Sequence, residues 1–304
     1  MSRGIVLRDL PGEVPPARLR AALGPLQLCH VPSVRWFSPA LDPSELDACA
    51  GLGARVASGL GPIHPGRAPD AVELGDGDAL RGWHRMIDAA ARLGVESLHC
   101  TVGVLEDRFG AWAEQLAATA GLVRPLVRAA EAYGIPLVLK THEEMTTFEL
   151  LRFAEETGVR VGFSPVNVVV RLEHPLAAAR RVAPLVHTVF LEDCAITWTP
   201  AGLPRRMRPV GQGAMPWPEI LEVLPEVPVV LDLHRAELDM PLYQDGWLGF
   251  HPDLTLPEPL TLAAVAGPDE PSTPLGRRCE IGLAAIGYVN RSRTSSAVRP
   301  SSSV

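Results

Sequence analysis

Short apolar runs rich in Val, Ile and Leu alternate along this chain with longer stretches whose apolar residues recur at helical spacing. The runs at 4–8, 26–31, 55–60, 96–103, 136–142, 160–167, 187–193 and 228–234 predict eight strands. The segments between them carry helix punctuation. Asp42-Pro43-Ser44-Glu45 reads as a capping box with proline at the first helical position. Leu80, Trp83, Ile87 and Ala91 mark one face of a 3.6-residue period that stops at Gly94. A long helix is predicted from Ala111 to Tyr133, ahead of Gly134 and Pro136. Thr146-Thr147-Phe148-Glu149 forms a second box whose helix closes at Gly158, and Pro175 and Pro218 open the next two helices.

Strand, helix and strand in steady alternation imply a parallel sheet with right-handed crossovers. An open doubly wound sheet normally shows a glycine-rich phosphate turn after its first strand. Here that segment is Arg8-Asp9-Leu10-Pro11-Gly12. The expected fold is therefore α/β, a single (β/α)8 TIM barrel over residues 1–266 with a C-terminal extension over 267–304. Leu256–Ala266 supplies a last covering helix. The Ser-rich end is expected to be mobile from about residue 291.

Composition narrows the partner. A hydrophobic fraction of 47% and a charged fraction of 21% suit a folded domain with a sizeable core. A net charge of −7 and a pI near 5.7 disfavour nucleic acid and favour a small-molecule substrate. No apolar run is long enough to span a bilayer, and MSRGIVLRDL does not read as a signal peptide. Cys29, Cys49, Cys100, Cys194 and Cys279 are scattered without a CxxC pair. A cytoplasmic protein with reduced thiols is expected, and a homodimer is left open.

From Pro136 to His234 the segments LVLKTHEEMTTFELLRFAEETG, VGFSPVN, EHPLAAARRVAPLVHTVFLEDC, VGQGAMPWPEILEVL and VVLDLH resemble the xylose isomerase-like sugar phosphate isomerase/epimerase family. The likeness extends more loosely over residues 4–266. It implies a barrel whose strand ends hold one divalent metal (Mn²⁺, Mg²⁺ or Co²⁺) through Glu, Asp, His and Glu on strands five to eight. That metal polarises a hydroxy-ketone while two carboxylates move a proton.

This chain departs from that pattern. Lys140 stands where the strand-five Glu is expected, and Ser164 replaces the Asp while Asn167 is kept. Phe190 replaces the His, Glu192 replaces a family Lys, and Asp193 is kept; Asp232, a shorter carboxylate, is the one position that preserves ligand chemistry. Phe cannot ligate a metal and an ammonium repels one, so the expectation is an enzyme that works without a cofactor. A metal site rebuilt from His142, Glu143, Glu192, Asp232 or His234 is the alternative.

Side chains two apart share a strand face. Lys140 with His142, Phe190 with Glu192, and Asp232 with His234 are therefore expected to converge at the C-terminal mouth, where barrels of this type carry their chemistry. Lys140, His142, Glu192 and Asp232 are the candidate catalytic groups, with Lys140 and Glu192 expected to form an acid/base or substrate-orienting pair, the ammonium to stabilise an oxyanion and the carboxylate to carry a proton. A salt bridge filling the vacated metal cavity is the structural alternative. His64, Ser164, Asn167, Phe190, Arg208 and His234 are the candidate substrate-binding residues. Arg208 is chosen to hold an anionic group, beside Arg205 and Arg206 in what reads as a basic loop. The expected activity is isomerase-, epimerase- or lyase-like chemistry next to a carbonyl. A non-catalytic ligand-binding or partner protein on the same scaffold is the other reading.

Overall fold

A computed structural model describes residues 3–6, 28–50, 55–233, 237–282, 284 and 285. Seven strands come first: β1 (Arg3–Val6), β2 (Leu28–Val31), β3 (Arg55–Pro62), β4 (Ser97–Thr101), β5 (Leu137–Lys140), β6 (Arg160–Phe163) and β7 (Val186–Leu191). Two antiparallel strands follow, β8 (Asp193–Trp198) and β9 (Leu203–Arg208). Then come β10 (Val229–Leu231), β11 (Leu238–Met240) and β12 (Gly267–Pro268). β1 to β7 and β10 are parallel neighbours in chain order. β10 closes the barrel on β1 in the register Arg3↔Val229, Gly4↔Val230, Ile5↔Leu231. All eight predicted strands are present, each within a few residues of its expected bounds.

The strands are apolar on both faces because the barrel has two cores. Ile5, Leu98, Leu139, Val161, Leu191 and Leu231 point outward into the large core shared with the helices. Val6, Leu28, Ala57, Phe190 and Val230 form a separate cluster inside the barrel. Helix punctuation behaves as the sequence predicts at most sites. Thr146 accepts from the Glu149 amide at 3.2 Å, and Glu149 accepts from the Thr146 amide at 2.8 Å. Gly94 and Gly158 end their helices at φ of 71° and 84°, where a side chain is disfavoured. The box at Asp42 is half formed. Its carboxylate accepts from Ser44 and Glu45, but its own amide donates to Ser38 Oγ at 2.8 Å instead of to Glu45.

A second sheet, ordered β11-β9-β8-β12, takes in Arg205, Arg206 and Arg208, which read as a basic loop in the sequence. It is a hairpin grown from the end of β7 and widened by the chain after β10. Through β12, which pairs with β8, residues just beyond 266 join it. The helical turn reaching Gly282 also packs on β10, where a Cβ on Gly282 would lie 2.6 Å from Leu231 Cδ1. The last covering helix runs Pro257–Ala264. The tail expected to be mobile lies outside the described residues. Among the described residues no helix is long and apolar enough to cross a membrane.

Candidate active site

Four barrel strands, β5, β6, β7 and β10, deliver side chains to one point at the C-terminal mouth. Lys140 ends β5, and its Nζ lies 2.5 Å from Asp232 Oδ2, just past β10. The same Nζ is 3.6 Å from Oε1 of Glu192, the residue after β7, and 4.4 Å from the centroid of the Phe190 ring. Ser164, after β6, donates its hydroxyl to Glu192 Oε1 at 2.9 Å. All three charged groups are largely withdrawn from water, with side-chain exposures of 12% for Lys140, 1% for Asp232 and 0% for Glu192. Second carboxylate oxygen Oε2 of Glu192 is buried with no hydrogen-bond partner among the described residues.

Two imidazoles complete the floor. His30 of β2 and His99 of β4 meet edge to face with ring centroids 4.6 Å apart, and Phe190 caps both at 5.8 and 5.7 Å. Burial, then the nearby His30, His187 and Lys140, push the His99 pKa well below that of an ordinary imidazole, so it is neutral. Its Nε2 lies 3.0 Å from Ser97 Oγ. Above this floor a cavity of about 250 Å³ is walled by Pro32, Gly59, Pro62 and Thr101 together with Lys140, His142, Phe190 and Asp232.

His142 stands at the rim between two carboxylates, Nε2 at 2.8 Å from Glu143 Oε2 and Nδ1 at 2.5 Å from Glu144 Oε2. Burial works against its charge, but Glu144 and then Glu143 outweigh it and raise the pKa to about 10. It is an imidazolium at neutral pH. Buried arginines balance the acids behind it: Arg205 lies 3.4 Å from Glu143, and Arg108 lies 2.7 Å from Glu149.

The strand-end positions do not fit a divalent ion. Phe190 offers no donor atom, the ammonium of Lys140 is held on Asp232, and the Ser164 hydroxyl is spent on Glu192. Atoms of His142, Glu143 and Glu144 do lie within 4.8 Å of one another, a spacing that could gather an ion. Binding an ion there would require one ring nitrogen of His142 to be free of its proton.

Of the residues chosen from sequence, Lys140, His142, Phe190 and Asp232 line the cavity, and Ser164 and Glu192 stand directly behind Lys140. Asn167 is buried deeper, donating to Thr141 O at 3.0 Å and accepting from Arg205 at 2.8 Å. His64 is not brought to the cavity: its Nε2 meets Gln115 at 2.9 Å and its Nδ1 accepts from the Gly66 amide. Arg208 is also elsewhere, with its guanidinium on the carbonyls of Pro271 and Glu270, because β9 turns it toward the extension. Arg205 is not in a solvated loop but fully buried, the side chain that ties β9 to the rim. His234 lies outside the described residues. Asp193 is structural: its carboxylate accepts from the amides of Cys194, Gly211 and Met215 at 2.8–3.2 Å and fastens the loop after β9.

Neither His30 nor His99 is among the residues chosen from sequence. The signal was available for His30, which is the C-terminal residue but one of a predicted strand, the same argument applied to strands five to eight.

This mouth closes a barrel whose residues 47–229 match the family described as Xylose isomerase-like TIM barrel. The chain belongs to that family. A solved L-ribulose 3-epimerase superposes with a TM-score of 0.64 at 16% identity, covering 100% of both chains. The probable 3-DHS dehydratase AsbF from Bacillus anthracis superposes at 0.55 with 9% identity, over 76% of this chain and 92% of that one. At such identities the likeness is one of fold. An Escherichia coli K12 relative, "Uncharacterized protein YihM", is 29% identical over 91 residues, 29% of this chain and 28% of that protein. The match thus spans less than a third of the relative's length.

Proposed function

We propose that this chain is an isomerase- or epimerase-like enzyme, or a lyase of the same kind, that moves a proton next to the carbonyl of a small polar metabolite. The reading rests on one observation. A cationic amine and a carboxylate, Lys140 and Asp232, share a cavity wall at the mouth of a family barrel.

The chemistry follows from the groups in reach. The ammonium of Lys140 stabilises negative charge developing on the carbonyl oxygen, and in a site this dry that interaction is strong. Asp232 takes the proton from the neighbouring carbon and returns it at a new face or a new carbon. If a hydroxyl sits β to the carbonyl, the rim imidazolium His142 can protonate it as it leaves, which gives the dehydration variant. Glu192 and Ser164 are positioning residues that fix Lys140 from behind. Phe190 and the two imidazoles, packed edge to face, form the floor, and about 250 Å³ admits a metabolite of few heavy atoms. The epimerase and dehydratase names carried by the fold neighbours agree with both variants.

Wash-in of deuterium from D2O at the carbon next to the carbonyl, followed by NMR, tests the reading. Dihydroxyacetone, pyruvate and a cyclic β-hydroxy ketone serve as probes. Asp232→Asn is expected to lose about 10²–10⁴-fold of the exchange. Exchange that Asp232→Asn leaves intact, or no exchange above buffer, counts against it, the second result being that expected of a binding protein.

A further inference from the structure

Of the 28 Lys and Arg residues in this chain, Lys140 alone is lysine. Every other basic position, buried or exposed, uses arginine: Arg205 and Arg108 make internal ion pairs, and Arg35, Arg92 and Arg152 make surface ones. A salt bridge at the mouth asks for nothing arginine has not supplied elsewhere in this molecule. A primary amine does what a guanidinium cannot: it gives up its proton readily and attacks carbon.

Building on the proposed function, we propose that Lys140 acts covalently, condensing with an aldehyde or ketone substrate to form an iminium at the barrel mouth. Three observations support it. Lys140 lines the cavity, with its side chain 12% exposed. A carboxylate that can take its proton, Asp232, is in direct contact at 2.5 Å and lines the same cavity. The Phe190 ring lies 4.4 Å from the nitrogen and, with His30 and His99, forms a floor that keeps bulk water from one side of the linkage.

The steps balance. The ammonium passes a proton to Asp232, and the free amine adds to the carbonyl carbon, opening the C=O double bond to a carbinolamine. The Asp232 acid returns its proton to the hydroxyl, which leaves as water, and the C=N⁺ bond forms. Asp232, again a carboxylate, removes the proton from the adjacent carbon, and the electron pair moves into the iminium to give an enamine. Reprotonation and hydrolysis by one water release product and lysine. The iminium thereby serves as the electron sink at a place where the donor set does not suit a metal.

The lone lysine makes the test clean. The full-length protein is treated with sodium borohydride in the presence of dihydroxyacetone, pyruvate or cyclohexanone, and the adduct is located by peptide mass mapping. The expected result is one reduced adduct on the Lys140 peptide with at least one probe, falling about 10²-fold in Asp232→Asn. Its absence in Lys140→Arg, with thermal unfolding showing that variant folded, assigns the site. No adduct with any of the three probes overturns the proposal, as does equal labelling of native protein and Asp232→Asn. Deuterium exchange without any adduct overturns the iminium while leaving the acid–base reading standing; loss of both removes both.

Discussion

Gly162 on β6 lies where any side chain would strike Phe190. A Cβ there would stand 2.9 Å from Phe190 Cε2 and 3.2 Å from Val138 Cγ1. The phenyl ring inside the barrel therefore has its space made for it by a glycine on the adjacent strand. The two residues act as one feature of the barrel floor.

Gly162→Ala should consequently destabilise the protein by about 1–3 kcal/mol, the usual cost of overpacking. Phe190→Leu, which withdraws the ring edge, should recover a large part of that loss in the double variant. Urea unfolding of the four proteins in a double-mutant cycle measures the coupling. Strictly additive effects would show that the contact does not matter.

Lys140→Met should cost stability as well as turnover. It leaves Asp232 and Glu192 facing each other in a dry site without their shared cation, a change worth about 3–5 kcal/mol. Adding Asp232→Asn to it should restore part of the stability and none of the deuterium exchange. Chemical denaturation read beside NMR exchange separates the two effects.

The His142 imidazolium makes stability depend on pH in a definite sense. Its pKa in the folded protein, about 10, lies above the ordinary 6.5. Its contribution is then complete below pH 6.5 and is lost as pH rises through about 10. The urea midpoint of the native protein should fall over that window, and His142→Gln should flatten the fall. A fall of equal size in the variant would assign the effect to other groups.

Gly213→Ala should loosen the loop after β9 without touching the cavity wall. A Cβ at Gly213 would sit 2.1 Å from Asp193 Oδ1, so the carboxylate would have to give up its amide partners. Faster amide hydrogen exchange at Gly211 and Met215, with deuterium exchange of the probes kept, is the expected outcome.

Dialysis against a chelator should leave carbon-bound deuterium exchange unchanged, since the strand-end donors do not suit an ion. Activity lost on chelation and restored by Mn²⁺ would instead assign a metal to the His142, Glu143 and Glu144 group.

The eight strands and most helix ends were legible because their causes are local. Hydrophobic period, prolines at first helical turns and glycines at left-handed caps act over a few residues. The sheet around Leu203–Arg208 was not legible, since three arginines in six residues read as solvated loop. Their partners, Asn167, Asp269 and Glu270, are distant in sequence.

Sequence by itself determined the barrel, and strand parity pointed to Lys140, Phe190 and Asp232 as residues of its mouth. Tertiary structure alone decided that Lys140 meets Asp232 across 92 positions of chain. It also decided that His30 and His99 turn inward and that His64 and Arg208 stay outside. The reason is physical: strand parity tells which face a side chain takes, whereas contact and protonation depend on what the closed barrel brings opposite it.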